Sequence, residues 1–259
     1  GARRKFLGAY WQPLVGTALV WLLFDIVEYG LKQNDAAIFA ADHSGPYRNS
    51  ILTVLMTRLL AIPSLAVAPV LLQWYPSKFV QIGGFCGCIF ANLVLWTQYG
   101  WLKQDGAVHT FLFDALYIVQ LSFQSLPGVT SMAIPAEIFP SAVKGTGAAI
   151  SAASGKVGAV LGSYYFTMMK DNGLISEIFG IVTGTSTIAL ILTLILTPHY
   201  NGATLDIAEE LAEDGKMKAA RRMLYSGPQK KKPTIGGDED ESDDEDDDAE
   251  DDSEDSSEE

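Results

Sequence analysis

AYWQPLVGTALVWLLFDIVEYGL, residues 9–31, has the length and apolar content of a helix that crosses the hydrocarbon of a bilayer, yet it carries Asp25 within it. Trp21, Asp25 and Tyr29 stand four residues apart. A step of four advances roughly 40° around an α-helix, so the three side chains share one face. A carboxylate at membrane depth is costly and marks a substrate or proton pathway unless it reaches an interface. An indole and a phenol on the same face, both hydrogen-bonding, favour the pathway reading over an acid that snorkels to the outer edge.

The apolar residues of the 259-residue chain fall into six blocks, about 9–31, 51–74, 79–99, 110–134, 145–168 and 175–197, each long enough to span a bilayer. The fold class expected is therefore an all-α polytopic membrane protein. Of the 31 Asp and Glu, 17 lie in residues 238–259, so the net charge of −13 describes a tail; the remainder is slightly basic. Neither a nucleic-acid partner nor a cofactor is indicated. With no nucleophile–base set, metal cluster or phosphate loop in evidence, an enzyme is not expected. Cys86 and Cys88, in the apolar third block, read as small packing residues.

Basic residues set the expected orientation. Arg3, Arg4, Lys5, Lys78, Lys144, Lys216, Lys218, Arg221, Arg222 and Lys230 to Lys232 share one side if the spans alternate, and that side is cytoplasmic. Lys32, Arg48, Lys103 and Lys170 oppose them. Both termini are then inside, with a cytoplasmic lead-in at 1–8, a six-span bundle at 9–200 and an amphipathic helix at 201–226. A basic linker and disordered acidic tail follow at 227–259. The chain begins without Met at Gly1 and reads as the C-terminal part of a longer protein.

Trp21-Leu-Leu-Phe-Asp25-Ile-Val-Glu-Tyr29 resembles the W-x-x-x-D-x-x-x-Y pattern in the seventh span of fungal and plant phosphate:proton symporters, a branch of the major facilitator superfamily. Further likenesses follow in the same order. Lys78-Phe-Val-Gln-Ile-Gly-Gly-Phe85 is similar to the start of the ninth span, and Ile134-Pro-Ala-Glu-Ile-Phe-Pro140 to the loop after the tenth. Gly147 to Ala159, containing Ser154-Gly155-Lys156, is similar to the eleventh, and Pro198 with Gly202, Thr204 and Leu205 to the close of the last. The resemblance covers residues 9–210 and implies the C-terminal six-helix half of a twelve-span transporter. Its partners would be the N-terminal six-span half, the lipid bilayer, inorganic phosphate and protons.

The resemblance implies substrate contacts from Trp21, Asp25 and Tyr29, with Asp25 also carrying the coupled proton. Removal from water favours the neutral form of a carboxyl group, and a neutral acid donates to an anion rather than repelling it. Lys156 is expected as a buried counter-charge in the middle of the fifth span. The family's phosphate-binding Asn falls on Gly128, which has no amide to offer; Gln124, one turn earlier, is expected to reach toward the vacancy, with Ser131 as the weaker candidate. Arg58 either attracts an anion or snorkels. Glu28, with Lys32 four residues on, is expected to form a surface ion pair rather than a second proton site. Gly155, Gly158 and Gly162 allow close helix approach, and Pro63, Pro69 and Pro127 are expected to bend their spans.

The function expected is proton-coupled phosphate transport, at the plasma membrane. The alternatives are a porter of another anion or of a sugar, and a non-transporting sensor derived from a transporter.

Overall fold

Each apolar block becomes a helix, because in hydrocarbon only intra-segment hydrogen bonds satisfy the backbone. The computed structural model describes residues 2–40, 47–104, 106–141, 143–198, 202–214 and 216–226. Six long helices form the bundle: α1 (Ala2–Ala40), α2 (Tyr47–Trp74), α3 (Ser77–Thr97), α5 (Ala107–Ile138), α6 (Lys144–Asp171) and α7 (Ile175–Leu196). The single turn α4 (Tyr99–Leu102) joins α3 to α5, and the short α8 (Gly202–Glu213) and α9 (Met217–Ser226) follow the bundle. Among the described residues there is no strand.

Tyr10–Phe39, Ile51–Trp74, Ser77–Thr97 and Ile175–Leu196 are long and apolar enough to cross a membrane. The other two long helices, α5 and α6, reach 32 and 28 residues but dilute their apolar content with polar and small residues on buried faces. Gln120, Thr130, Asn92 and Ser151 are wholly buried, while Leu55, Leu60, Leu65, Val160 and Ile195 are exposed. A fold with polar groups inside and large apolar side chains outside suits lipid or a second protein half, not water. The chain is an all-α polytopic membrane protein.

Several boundaries differ from the sequence expectation. The lead-in is helical from Ala2, and α1 turns at Tyr10 (φ −104°, ψ 15°), three residues before Pro13, whose ring excludes a regular helix there. At its other end α1 continues nine residues past Leu31, to Ala40. The single helix expected at 201–226 is two helices, α8 ending at Glu213 and α9 starting at Met217, with Asp214, a weak helix former, just past the first. Pro63, Pro69, Pro127 and Pro135 lie inside α2 and α5. The expected linker and tail at 227–259 lie outside the described residues.

Two apolar clusters close the ends of the bundle. Leu31, Phe39, Phe113, Tyr117, Phe166 and Phe179 pack at one end. Tyr10, Ile138 and Phe139 meet Ala208, Ala220 and Leu224 of α8 and α9 at the other. Lys78, counted above among the basic residues of the cytoplasmic side, is buried at that second end. Its Nζ donates to the carbonyls of Leu194 (3.2 Å) and Thr197 (2.5 Å), so it caps the C-terminus of α7. Ser77 donates to Glu137 at 2.7 Å and ties the same corner to the end of α5.

The closest helix pair positions the site. A Cβ added at Gly158 would lie 2.1 Å from the Leu22 carbonyl oxygen, and one at Gly162 2.1 Å from that of Ile26. These glycines let α6 lie against the backbone of α1, and Thr17 and Ser151 extend the seam with a 2.8 Å hydrogen bond. Gly158→Ala therefore forces the two helices apart. The expected loss is about 1–3 kcal/mol, as for other overpacked interiors, read as a lowered midpoint of thermal unfolding in detergent. Gly184→Ala is the control, since nothing lies within 4 Å of its added Cβ; an equal loss there would refute the close-approach argument.

Candidate functional site

The expected substrate residues meet in one cavity. Its volume is about 320 Å³, and Trp21, Asp25 and Tyr29 of α1, Gln124 and Gly128 of α5 and Lys156 of α6 all line it. The four-residue spacing on α1 works as the helix period dictates, since the stripe faces the seam between α5 and α6. Gly155 supplies the room: a Cβ there would meet the Trp21 indole at 2.5 Å and Asp25 Oδ2 at 2.8 Å. Acid and indole thus lie directly against the α6 backbone.

Asp25 is 4% exposed, and among the described residues no side chain hydrogen-bonds its carboxylate. Its oxygens are therefore open to a proton or a ligand. Lys156 sits in mid-helix as expected, but its side chain is exposed rather than buried. Its neighbours Ala153, Val157 and Val160 on α6 are exposed too, so the ammonium extends along the mouth of the cavity. It donates to Tyr29 Oη at 3.3 Å and lies 5.3 Å from that ring's centre.

Gly128 borders the cavity opposite Phe24, whose ring tip would lie 3.2 Å from an added Cβ. Gln124 is beside it but does not reach into the vacancy. Its Nε2 donates to Glu28 Oε2 at 2.7 Å, and its Oε1 accepts from Gln120. Ser131 does not line the cavity; it borders a separate space of about 10 Å³ with Thr17 and Gln81. A larger open groove, about 730 Å³, continues from Tyr29 between α1 and α6 past Gln33, Ser163 and Thr167.

Two acids were misplaced or missed in the sequence. Glu28 pairs with Lys32 at 3.7 Å, as expected, but it is also part of the cavity wall. Asp35, unremarked because it follows the presumed end of the first span, is 3% exposed. It accepts from both Arg58 of α2 and Tyr117 of α5. Arg58 therefore neither waits for an anion nor snorkels; a buried partner holds it. Asn34 beside it shares a 3.4 Å hydrogen bond with Thr167.

Comparison with known proteins agrees with this architecture. The sequence profile described as "Sugar (and other) transporter" matches residues 47–212. Glycerophosphoinositol permease 1 of Candida albicans is 29% identical over 214 residues, covering 81% of this chain and 40% of that protein. Inorganic phosphate transporter 1-11 of Oryza sativa subsp. japonica is 30% identical over 230 residues, covering 83% and 40%. Low affinity inorganic phosphate transporter 4 of Medicago truncatula is 28% identical over 251 residues, covering 90% and 45%. The chain spans less than half the length of each of these relatives.

Proposed function

We propose that this chain, which belongs to the sugar (and other) transporter family, forms the C-terminal six-helix half of a transporter that carries phosphate together with protons. The observation that carries the reading is a membrane-depth cavity in which one open carboxyl group, Asp25, stands beside an indole, a phenol and an ammonium. Such a set suits an anion whose oxygens accept hydrogen bonds and whose charge is offset by Lys156 and by a proton on Asp25. The relatives named above, transporters of inorganic phosphate among them, support the same reading. The exposed apolar faces of α2 and α6 are where an N-terminal half and lipid would sit, and the side-to-side bias of the basic residues supports cytoplasmic ends.

A second reading concerns the cargo. Gly128 leaves the wall of the cavity without a side chain, which suits an esterified phosphate bulkier than the free anion, and one relative is a glycerophosphoinositol permease. Uptake of labelled phosphate by the complete transporter, in cells lacking their own, tests both. Acid-stimulated uptake blocked by phosphate analogues is the result expected. Uptake blocked only by glycerophosphodiesters shifts the cargo to the ester, and uptake blocked by glucose or sulfate sinks both. Gly128→Asn, which adds an amide to that wall, is expected to strengthen competition by free phosphate relative to the ester.

A further inference from the structure

Ser131, the weaker candidate for the vacancy at Gly128, belongs to a different place. It is 4% exposed, and its Oγ has no hydrogen-bond partner among the described residues. A buried hydroxyl without a partner costs stability. The backbone beside it is open as well. Pro135, four residues on within α5, has no N–H, so the Ser131 carbonyl lacks its helical donor. Ser131 and Pro135 both border the separate space of about 10 Å³, together with Thr17 of α1, Gln81 of α3 and Thr197 at the end of α7. Thr17 Oγ1 has one hydrogen, and the Pro13 carbonyl at 2.9 Å and Ser151 Oγ at 2.8 Å already compete for it. Toward the space Thr17 therefore acts as an acceptor. Gln81 Oε1 accepts from Thr193 at 3.4 Å, and its amide nitrogen is a donor.

We propose that this space is the binding site of one buried water molecule, which joins α5 at its Pro135 break to α1 and α3. Water fits in both size and valence. One water needs about 10–15 Å³, so the space admits nothing larger. Its hydrogens go to the Ser131 carbonyl and Thr17 Oγ1, its oxygen accepts from the Gln81 amide, and Ser131 Oγ serves either way. A bare cation would use the acceptors alone. None of the lining side chains is charged, and Lys78 Nζ already stands 2.5 Å from the Thr197 carbonyl at this wall. A second positive charge would be buried near the first with no counter-charge, which is costly. Thr17 continues the four-residue spacing of Trp21, Asp25 and Tyr29, so the water ties the far end of that stripe to the bend in α5. The site does not depend on which cargo the transport cavity takes.

The test is X-ray footprinting of the complete purified transporter in detergent, in which a pulse turns water into hydroxyl radicals that label the side chains it touches. Val20 and Ile134 border the space and are each 2% exposed, nearly as buried as Ile178 and Val182 of the apolar cluster at the other end, each 0%. Without a bound water, all four stay unlabelled. Val20 and Ile134 are expected to label several-fold faster than Ile178 and Val182. Ser131→Val, which puts methyl groups in place of the hydroxyl and fills the space, is expected to abolish that labelling. The wild-type comparison stands by itself should Ser131→Val fail to fold. Val20 and Ile134 labelling no faster than Ile178 and Val182, or labelling that survives Ser131→Val, overturns the proposal. So does a thermal midpoint raised by sodium chloride over choline chloride in wild type but not in Ser131→Val, which would make the space a cation site.

Discussion

Asp25→Asn is expected to abolish acid-driven accumulation of the anion while leaving the anion able to bind. Asn keeps the size and the donor of a protonated Asp but can neither take up nor release a proton. An ionised Asp25 about 4 Å from a unit negative charge costs about 4 kcal/mol at an effective dielectric of 20, roughly a thousandfold in affinity. Wild type loses that penalty as the pH falls and the carboxylate is protonated, so its uptake rises toward acid. The Asn variant never carries the penalty. Its binding should be flat with pH and undiminished at alkaline pH, and exchange of labelled for unlabelled anion should persist when net uptake has gone. Lys156→Met should do the reverse, weakening binding at every pH because a favourable charge is missing throughout. If Asp25→Asn accumulates anion with the wild-type pH profile, the coupling role belongs elsewhere.

What the sequence could show depended on whether a residue's partner was near in sequence or only in space. Trp21, Asp25 and Tyr29 share a face by helix period alone, so their common wall was legible before any packing was known. Gly155, Gly158 and Gly162 announced a close helix contact, though not that α1 was the partner. Glu28 stands about 60° around the helix from Asp25, where it could have faced solvent or protein; α5 decides, by bringing Gln124 to it. Gln124 lines the expected cavity but turns to Glu28, because its orientation is set by Gln120, a partner that nothing in the sequence marks. Lys156 is mid-span yet exposed, because burial depends on what covers that face and not on position along the helix.

Asp35 is the clearest failure, and its cause is physical. Lys32-Gln33-Asn34-Asp35 looks like the polar end of a span, and apolar content falls there. The helix nevertheless continues, because the other helices carry the polar partners that satisfy it: Thr167 for Asn34, and Arg58 with Tyr117 for Asp35. Arg58 looked like an orphan in α2 for the same reason. Two residues that each seemed anomalous alone are ordinary as a pair.

That pairing carries the second large effect. Asp35→Ala removes the acceptor of the Arg58 guanidinium and of the buried Tyr117 hydroxyl together, leaving a charge without a partner among α1, α2 and α5. Breaking a buried pair from one side costs about 3–5 kcal/mol, and Arg58, at 29% exposed, should fall near the lower bound. The consequence should concentrate on α2, which buries only 11% of its most apolar window and so has few other contacts with the bundle. Thermal unfolding in detergent should show the loss directly, and proteolysis between α1 and α2 should accelerate. The double variant Asp35→Leu/Arg58→Met removes both charges and fills the space with apolar atoms. It should recover stability to within about 1 kcal/mol of wild type, because the pair's desolvation cost disappears with its attraction. A double variant no more stable than Asp35→Ala would mean that Asp35 acts mainly through Tyr117. Tyr117→Phe, which leaves the ion pair intact, would then have to carry the larger share of the loss.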